Sequence, residues 1–559
     1  MKPKYYKVLP VIIVSVSSFF LGAAFIITSE NTTVTKEIIT AAEKMIGLKF
    51  TEAQQDTMLG LVSDHLKNYE NIRKENLPNS IPPAVLFNPI PEGFKAPAGK
   101  STFVLSDYSK TKLPKDKNEL AFYSVGQLAY LIRTRQVTSV QLTKIFIERL
   151  KKYGQTLHCI VTLTEDRAMH EAQKADKEIA SGKYRGPLHG IPYGVKDLLD
   201  TKSYKTTWGA APYKDQLIDE DATVIKKLGE AGAVLVAKLS MGELAMDDVW
   251  FGGLTRNPWD TTQGSSGSSA GSAAAVSAGL VPFAIGTETW GSIVAPSTRC
   301  GDTGLRPTYG RVSRHGAMAL SWSMDKIGPI CRNVEDCAIV FNYIHGPDRM
   351  DQTLYNFPFN YSSKISLKGM RIGYLSKDFN HDYGFKTNDS LTIKEMEKLG
   401  AIMIPIELPD IPVNDIAFIL DSEAGAAFDE LTRSGKDAML ARQGKDNWPN
   451  IFRSSRFIPA VEYVNANRVR YLLIQEMEKM LNDNRIDLYL APSDEGDNSL
   501  ATNLTGHPLV VVPNGSNDGV HPTSITFVGR LFEEGKILAV AKAYQDATGF
   551  QSKHPPMFK

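Results

Sequence analysis

From Ser124 onward the apolar positions of this chain follow two alternating rhythms. Leu128, Leu131 and Ile132 share one helical face, and Ser139 opens a second helix carrying Leu142, Ile145, Phe146 and Leu150. Short apolar runs then appear at Cys159–Leu163, Ile191–Val195, Ala231–Ala237 and Val281–Ile285. Arg371–Leu375, Asp487–Ala491 and Leu509–Val512 continue the series, with a helical stretch from about Tyr463 to Leu481 between them. Runs that lack polar alternation belong to strands covered on both faces. The pattern predicts an α/β fold, a largely buried sheet with helices on both sides. No repeat period or linker interrupts it after residue 120, so 121–559 reads as a single domain.

Upstream the rhythm changes. Thr51-Glu-Ala-Gln54 has the spacing of a capping box, and Met58, Leu61, Val62, Leu66 and Tyr69 recur behind it at helical intervals, a stripe expected to pack. Pro78, Pro82, Pro83, Pro89 and Pro91 exclude a helix over the next stretch. Residues 31–120 therefore read as a helical and proline-rich extension. Residues 1–30 differ again: Lys2, Lys4 and Lys7 precede the uncharged run Val8–Thr28. As a helix that run spans roughly 30 Å, the thickness of a bilayer's hydrocarbon core. The expectation is a membrane anchor with the lysines inside and the rest of the chain exported. A cleaved signal ending near Gly22-Ala23-Ala24 is the rival, and would leave a secreted or periplasmic protein.

Composition narrows the chemistry. Of 559 residues, 42% are hydrophobic and 22% charged, and the formal net charge is +1, which argues against nucleic acid as a partner. Cys159, Cys300, Cys331 and Cys337 form no CxxC pair and no Cys/His metal spacing, so neither a metal site nor a disulfide framework is expected. Their scatter reads as buried free thiols.

The segment Ser266–Ser292 carries the strongest chemical signal. A glycine- and serine-rich loop enters the alanine-rich helical stretch Ala273–Ala278, and an apolar strand then ends in Gly286-Thr-Glu-Thr-Trp-Gly-Ser292. Ser292 is the candidate nucleophile, at a turn where the N–H groups of Thr289, Trp290, Gly291 and Ser292 can converge as an anion-binding nest. Ser268 supplies a second hydroxyl. A glycine-rich loop before a helix also suits phosphate, but no Lys-Ser/Thr pair follows this one. Lys196, in the apolar run Gly190–Asp197, is the candidate base. At its ordinary pKa of roughly 10.4 only about one lysine in 2,500 is neutral at pH 7, so a base there needs burial without a carboxylate partner. Asp197 should point to the opposite face of the strand.

These segments resemble the amidase signature family of serine hydrolases. The likeness runs in order through LHGIPYGVKD (188–197), SGSSAGSAAAVSAGLVP (266–282), GTETWGSIVAPS (286–297) and SMDKIGPICRNVEDCA (323–338), and continues to NLTGHP (503–508) and FVGRLFEEGKIL (527–538). The resemblance implies a large, twisted mixed sheet, no metal or cofactor, and hydrolysis of a small-molecule or peptide amide. It assigns Lys196, Ser268 and Ser292 as the catalytic set, with Ser268 following a cis peptide. It sets the oxyanion hole at Thr289–Ser292 and substrate contacts at Ser269, Trp290 and Met241. An amidotransferase component releasing ammonia from glutamine and a catalytically silent binding protein are the alternatives. Ser266, Ala270 and Trp290 stand where the family usually has glycine or a small residue. A tryptophan would be strained there if its φ had to be positive. His189, His315 and His507 are expected to be structural or pocket-lining, and Asp325 and Arg306 to brace loops.

Overall fold

The computed structural model describes residues 34–75 and 77–559. Contacts divide the chain into two compact units at Leu77/Pro78. The lysine-flanked run Val8–Thr28 lies outside the described residues. Among the described residues no helix is long and apolar enough to cross a membrane.

The first unit contains helices Lys36–Ile46 and Glu52–Ile72. The capping box forms as its spacing predicts, the Thr51 hydroxyl accepting from Gln54 N–H and the Gln54 side chain accepting from Thr51 N–H. Met58, Val62 and Leu66 are half-buried, but Leu61 and Tyr69 are exposed, so packing of the whole stripe is not met. A single facing helix is too narrow to cover a stripe that wide.

The second unit is built on an eleven-stranded sheet. In chain order its strands are β1 (Ile160–Leu163), β2 (Pro192–Lys196), β3 (Val234–Leu239), β4 (Phe283–Glu288), β5 (Thr303–Arg306) and β6 (Lys326–Cys331). Next come β7 (Arg371–Leu375), β8 (Ile402–Ile406), β9 (Leu488–Pro492), β10 (Leu509–Ser516) and β11 (Pro522–Gly529). Across the sheet the order is β8-β7-β9-β11-β10-β5-β6-β4-β2-β3-β1. The pairs β7/β8, β7/β9, β2/β3 and β2/β4 are parallel and the rest antiparallel, so the sheet is mixed. Successive residues of the central strands enter different apolar layers: Leu235, Phe283 and Ile285 one, Val234, Val236 and Ala284 the other. Burial on both faces explains the unbroken apolar runs. The central helices are capped as their sequences dictate. Ser124 with Gln127 and Thr138 with Gln141 form capping boxes on Val125–Arg133 and Ser139–Leu157.

The proline-rich stretch joins this second unit at Pro78, well before the boundary drawn at residue 120. Phe87 meets Tyr309 edge-on at 5.0 Å between ring centres and lies under the Arg470 guanidinium. Thr102–Val104 pairs in parallel with Asn360–Ser362. Turn-forming prolines mark where a helix ends, not which body the extended chain then packs on.

Candidate active site

The parallel strands β2 and β4 are hydrogen-bonded neighbours, with Val195 opposite Ile285. Their C-terminal ends therefore lie side by side, where α/β sheets present their binding loops. Lys196 ends β2, and Thr287 and Glu288 end β4. Lys196 Nζ is 2.7 Å from Ser268 Oγ, 2.9 Å from Thr287 Oγ1 and 3.2 Å from Ser269 Oγ. The peptide before Ser268 is cis. Ser269 N–H donates to Ser292 O at 3.2 Å, which ties the serine-rich loop to the turn bearing the candidate nucleophile.

Tight packing holds this loop. The helix Ala270–Ser277 that follows it is buried on every side, which accounts for its alanine content. At Gly271 a Cβ would stand 2.5 Å from Ser240 N and 2.6 Å from Cys159 O. Only glycine fits a helix lying that close to neighbouring backbone.

The turn after β4 is braced from below by charge. Glu288 is fully buried; Oε2 accepts from Ile293 N–H at 2.8 Å and Val294 N–H at 3.0 Å. Oε1 takes Arg306 Nη1 at 2.7 Å and Asn503 Nδ2 at 2.9 Å. Burial opposes the charge, but Arg306 and the Asn503 bond outweigh it and hold the Glu288 pKa at about 2. Thr289 Oγ1 donates to Asp325 Oδ1 at 2.6 Å, while Asp325 Oδ2 accepts from Leu320 and Ser321 N–H. Asp325 and Arg306 thus brace the turn, as the sequence suggests. Among the described residues none accepts from the N–H groups of Thr289, Trp290, Gly291 or Ser292. Positive φ falls on Gly291, at 82°, and not on Trp290, so the tryptophan escapes the strain its position threatened. Ser266, another residue at a position where the family usually has glycine, does adopt a left-handed φ of 60°.

Lys196 has no exposed surface and no ion pair with a described residue. Burial lowers its pKa to about 7, against the weaker pull of Asp325 and Glu288. Those carboxylates are committed elsewhere, which is why they do not fix the ammonium. Asp197 turns to the other face, as strand alternation requires, and pairs with Lys238 at 3.0 Å.

A cavity of about 2080 Å³ opens beside this cluster, lined there by Thr287, Thr289 and Asp325. None of the three expected substrate contacts, Ser269, Met241 and Trp290, lines it. Ser269 is fully buried, its hydroxyl donating to Thr287 O and accepting from Thr287 N–H. Met241 is fully buried in the apolar core. Met241 follows the buried strand Val234–Leu239 and Ser269 caps the buried helix Ala270–Ser277, and spacing along the sequence does not reveal that burial. Trp290 is 45% exposed beside Ser292, which is 7% exposed. His189 and His507 are buried, and His315 lines the cavity. All four cysteines are buried free thiols. Thr287 and Glu288 went unrecognised in the sequence; the one available signal was an acid at the end of an otherwise apolar strand.

Comparison with known proteins agrees with this geometry. The Amidase family model matches residues 141–497. The A-type component of the glutamyl-tRNA(Gln) amidotransferase of Thermoanaerobacter pseudethanolicus is 32% identical over 483 residues, spanning 78% of this chain and 98% of its own. The peptide amidase of Stenotrophomonas maltophilia is 28% identical with a TM-score of 0.71, over 79% of this chain and all of that one. An amidase family protein from Bacillus anthracis gives the same identity and TM-score over 79% and 93%. The chain belongs to the amidase signature family and is an enzyme acting on amide carbon–nitrogen bonds.

Proposed function

We propose that this protein hydrolyses carboxamides through a Ser292 acyl-enzyme, with Ser268 as proton relay and Lys196 as base. One observation carries the reading: a buried amine with no carboxylate partner stands 2.7 Å from the Ser268 hydroxyl. Neutral Lys196 accepts the Ser268 proton as Ser268 takes that of Ser292, and Ser292 Oγ attacks the carbonyl carbon. A hydroxyl suits the relay because it donates and accepts at once. The negative charge that develops on the carbonyl oxygen meets the unengaged N–H groups of Thr289–Ser292. The proton returns through Ser268 to the departing nitrogen, ammonia or an amine leaves, and water then hydrolyses the ester.

The test is amide turnover and labelling by a fluorophosphonate. The native protein should do both, and Ser292→Ala should lose labelling and at least about 10³-fold in kcat while keeping its fold. Labelling that survives the substitution would move the nucleophile elsewhere. A second reading, release of ammonia from glutamine for a partner protein, is favoured by the relatives named as amidotransferase components, at 31–33% identity. Glutamine turned over in preference to peptide C-terminal amides and simple amides would select it.

The pattern of Lys2, Lys4 and Lys7 before Val8–Thr28 supports an exported, membrane-anchored setting for this activity. Recovery in the soluble fraction of carbonate-washed membranes would refute anchorage.

A further inference from the structure

The cavity that starts at Thr287 and Thr289 continues past Leu198 and Trp208 to a wall that the proposed chemistry leaves unused. In that wall stands a carboxyl without a partner. Asp200 is 8% exposed, and no hydrogen bond reaches its side chain from a described residue. Its backbone is pinned, N–H to Gly316 O and O from Ala222 N–H, both at 2.8 Å. The same pairing at Ala222 brings Glu220 to the wall, half-buried and only loosely paired with Lys226 at 3.7 Å.

Two cations of this region are taken. Lys238, the positive group that bears on Asp200, is bonded to Asp197 at 3.0 Å. Arg314, also on the cavity wall, is held by Asp351 at 3.1 Å and Trp322 O at 2.5 Å. Burial consequently pushes Asp200 up to about 7, against the opposing pull of Lys238 and with further upward help from Glu220 and Asp197. Trp208 lines the same space, its ring packed against Tyr213 at 4.5 Å between ring centres. Buried carboxyls normally find partners within the protein, so an unmatched acid on a cavity wall indicates a partner that comes from outside.

We propose that Asp200, with Glu220 beside it and Trp208 as an aromatic wall, forms a subsite for a protonated amine, so that the preferred substrates are amides carrying an ammonium group away from the scissile bond. The ammonium donates to the Asp200 carboxylate, and the indole face favours a cation over a neutral group. This rests on the amidase reading above and adds the substrate class.

The test compares isosteric amides that differ only in a terminal ammonium against a methyl group. Aminohexanamide against heptanamide probes the acyl side, and N-aminobutylacetamide against N-pentylacetamide the amine side. In the native protein the cationic member of at least one pair should have kcat/KM higher by about tenfold, expressed in KM. Asp200→Asn should bring that ratio close to one, and Glu220→Gln should lower it part of the way. Preference for the neutral member in both pairs, or a ratio that Asp200→Asn leaves unchanged, overturns the proposal. If no amide of either pair is turned over, the fault lies with the amidase reading of these substrates, and calorimetry with hexylammonium decides the subsite. Binding to the native protein that Asp200→Asn abolishes upholds it; equal binding to both proteins, or none to either, refutes it.

Discussion

Lys196 and Asp197 are adjacent, both fully buried, and opposite in circumstance. Asp197 has Lys238 at 3.0 Å and the Thr207 N–H at 3.0 Å, whereas Lys196 has hydroxyls and a carbonyl and no counter-ion. An ammonium without a counter-ion in a dry site loses hydration and regains little, so its proton is held weakly. The sign follows directly. Below about pH 7 the amine is charged and cannot accept a proton; above it the amine is neutral and able to. kcat/KM for an uncharged amide should therefore rise about tenfold per pH unit up to near 7 and level off above. A flat profile between about pH 5 and 9 would exclude a lysine base. Lys196→Met should fall as far as Ser292→Ala, and without that inflection.

At the scale of elements, the turn that follows β4 depends on two carboxylates at its back. Glu288 fixes the N–H groups of Ile293 and Val294 just after Ser292, and Asp325 fixes the Thr289 hydroxyl just before it. Thr289→Val frees one side of the turn and should lower kcat by about 10- to 100-fold with little change in KM, since aligned N–H donors matter most when charge develops. Equal effects on binding and turnover would place the threonine's role elsewhere. Glu288→Ala leaves the Arg306 guanidinium buried without its counter-charge, at a cost of about 3–5 kcal/mol in stability. Urea unfolding measures that loss directly, and a midpoint within error of the native one would show that the pair does not hold the sheet together.

For the whole molecule, strand order decides which segments meet. β2 and β4 are separated in the chain by β3 yet lie side by side in the sheet. That swap brings Lys196 to Ser268 and Thr287, 72 and 91 residues further on. The same unit takes in the extended chain from Pro78, which lines the far side of the cavity. Leu86 and Phe87 belong to that lining, so Phe87→Ala should raise KM for larger amides more than for acetamide. An equal rise for both would mean that the residue serves stability alone.

The sequence alone determined the fold class, the central helices, the capping box at Thr51–Gln54, and the choice of Lys196, Ser268 and Ser292 as candidates. Those features are written in local chemistry: apolar runs, capping residues and hydroxyl-rich turns act within a few positions. Strands β5, β6, β8 and β11 were not legible in this way. Their residues, such as Thr303–Arg306 with a buried arginine, take strand form because neighbouring strands satisfy their backbone groups. Tertiary structure likewise settled that Ser269 and Met241 turn inward, that Glu288 underpins the turn bearing Ser292, and that Asp200 is left without a partner among the described residues. Burial and charge pairing arise between segments far apart in the chain, and no local pattern encodes them.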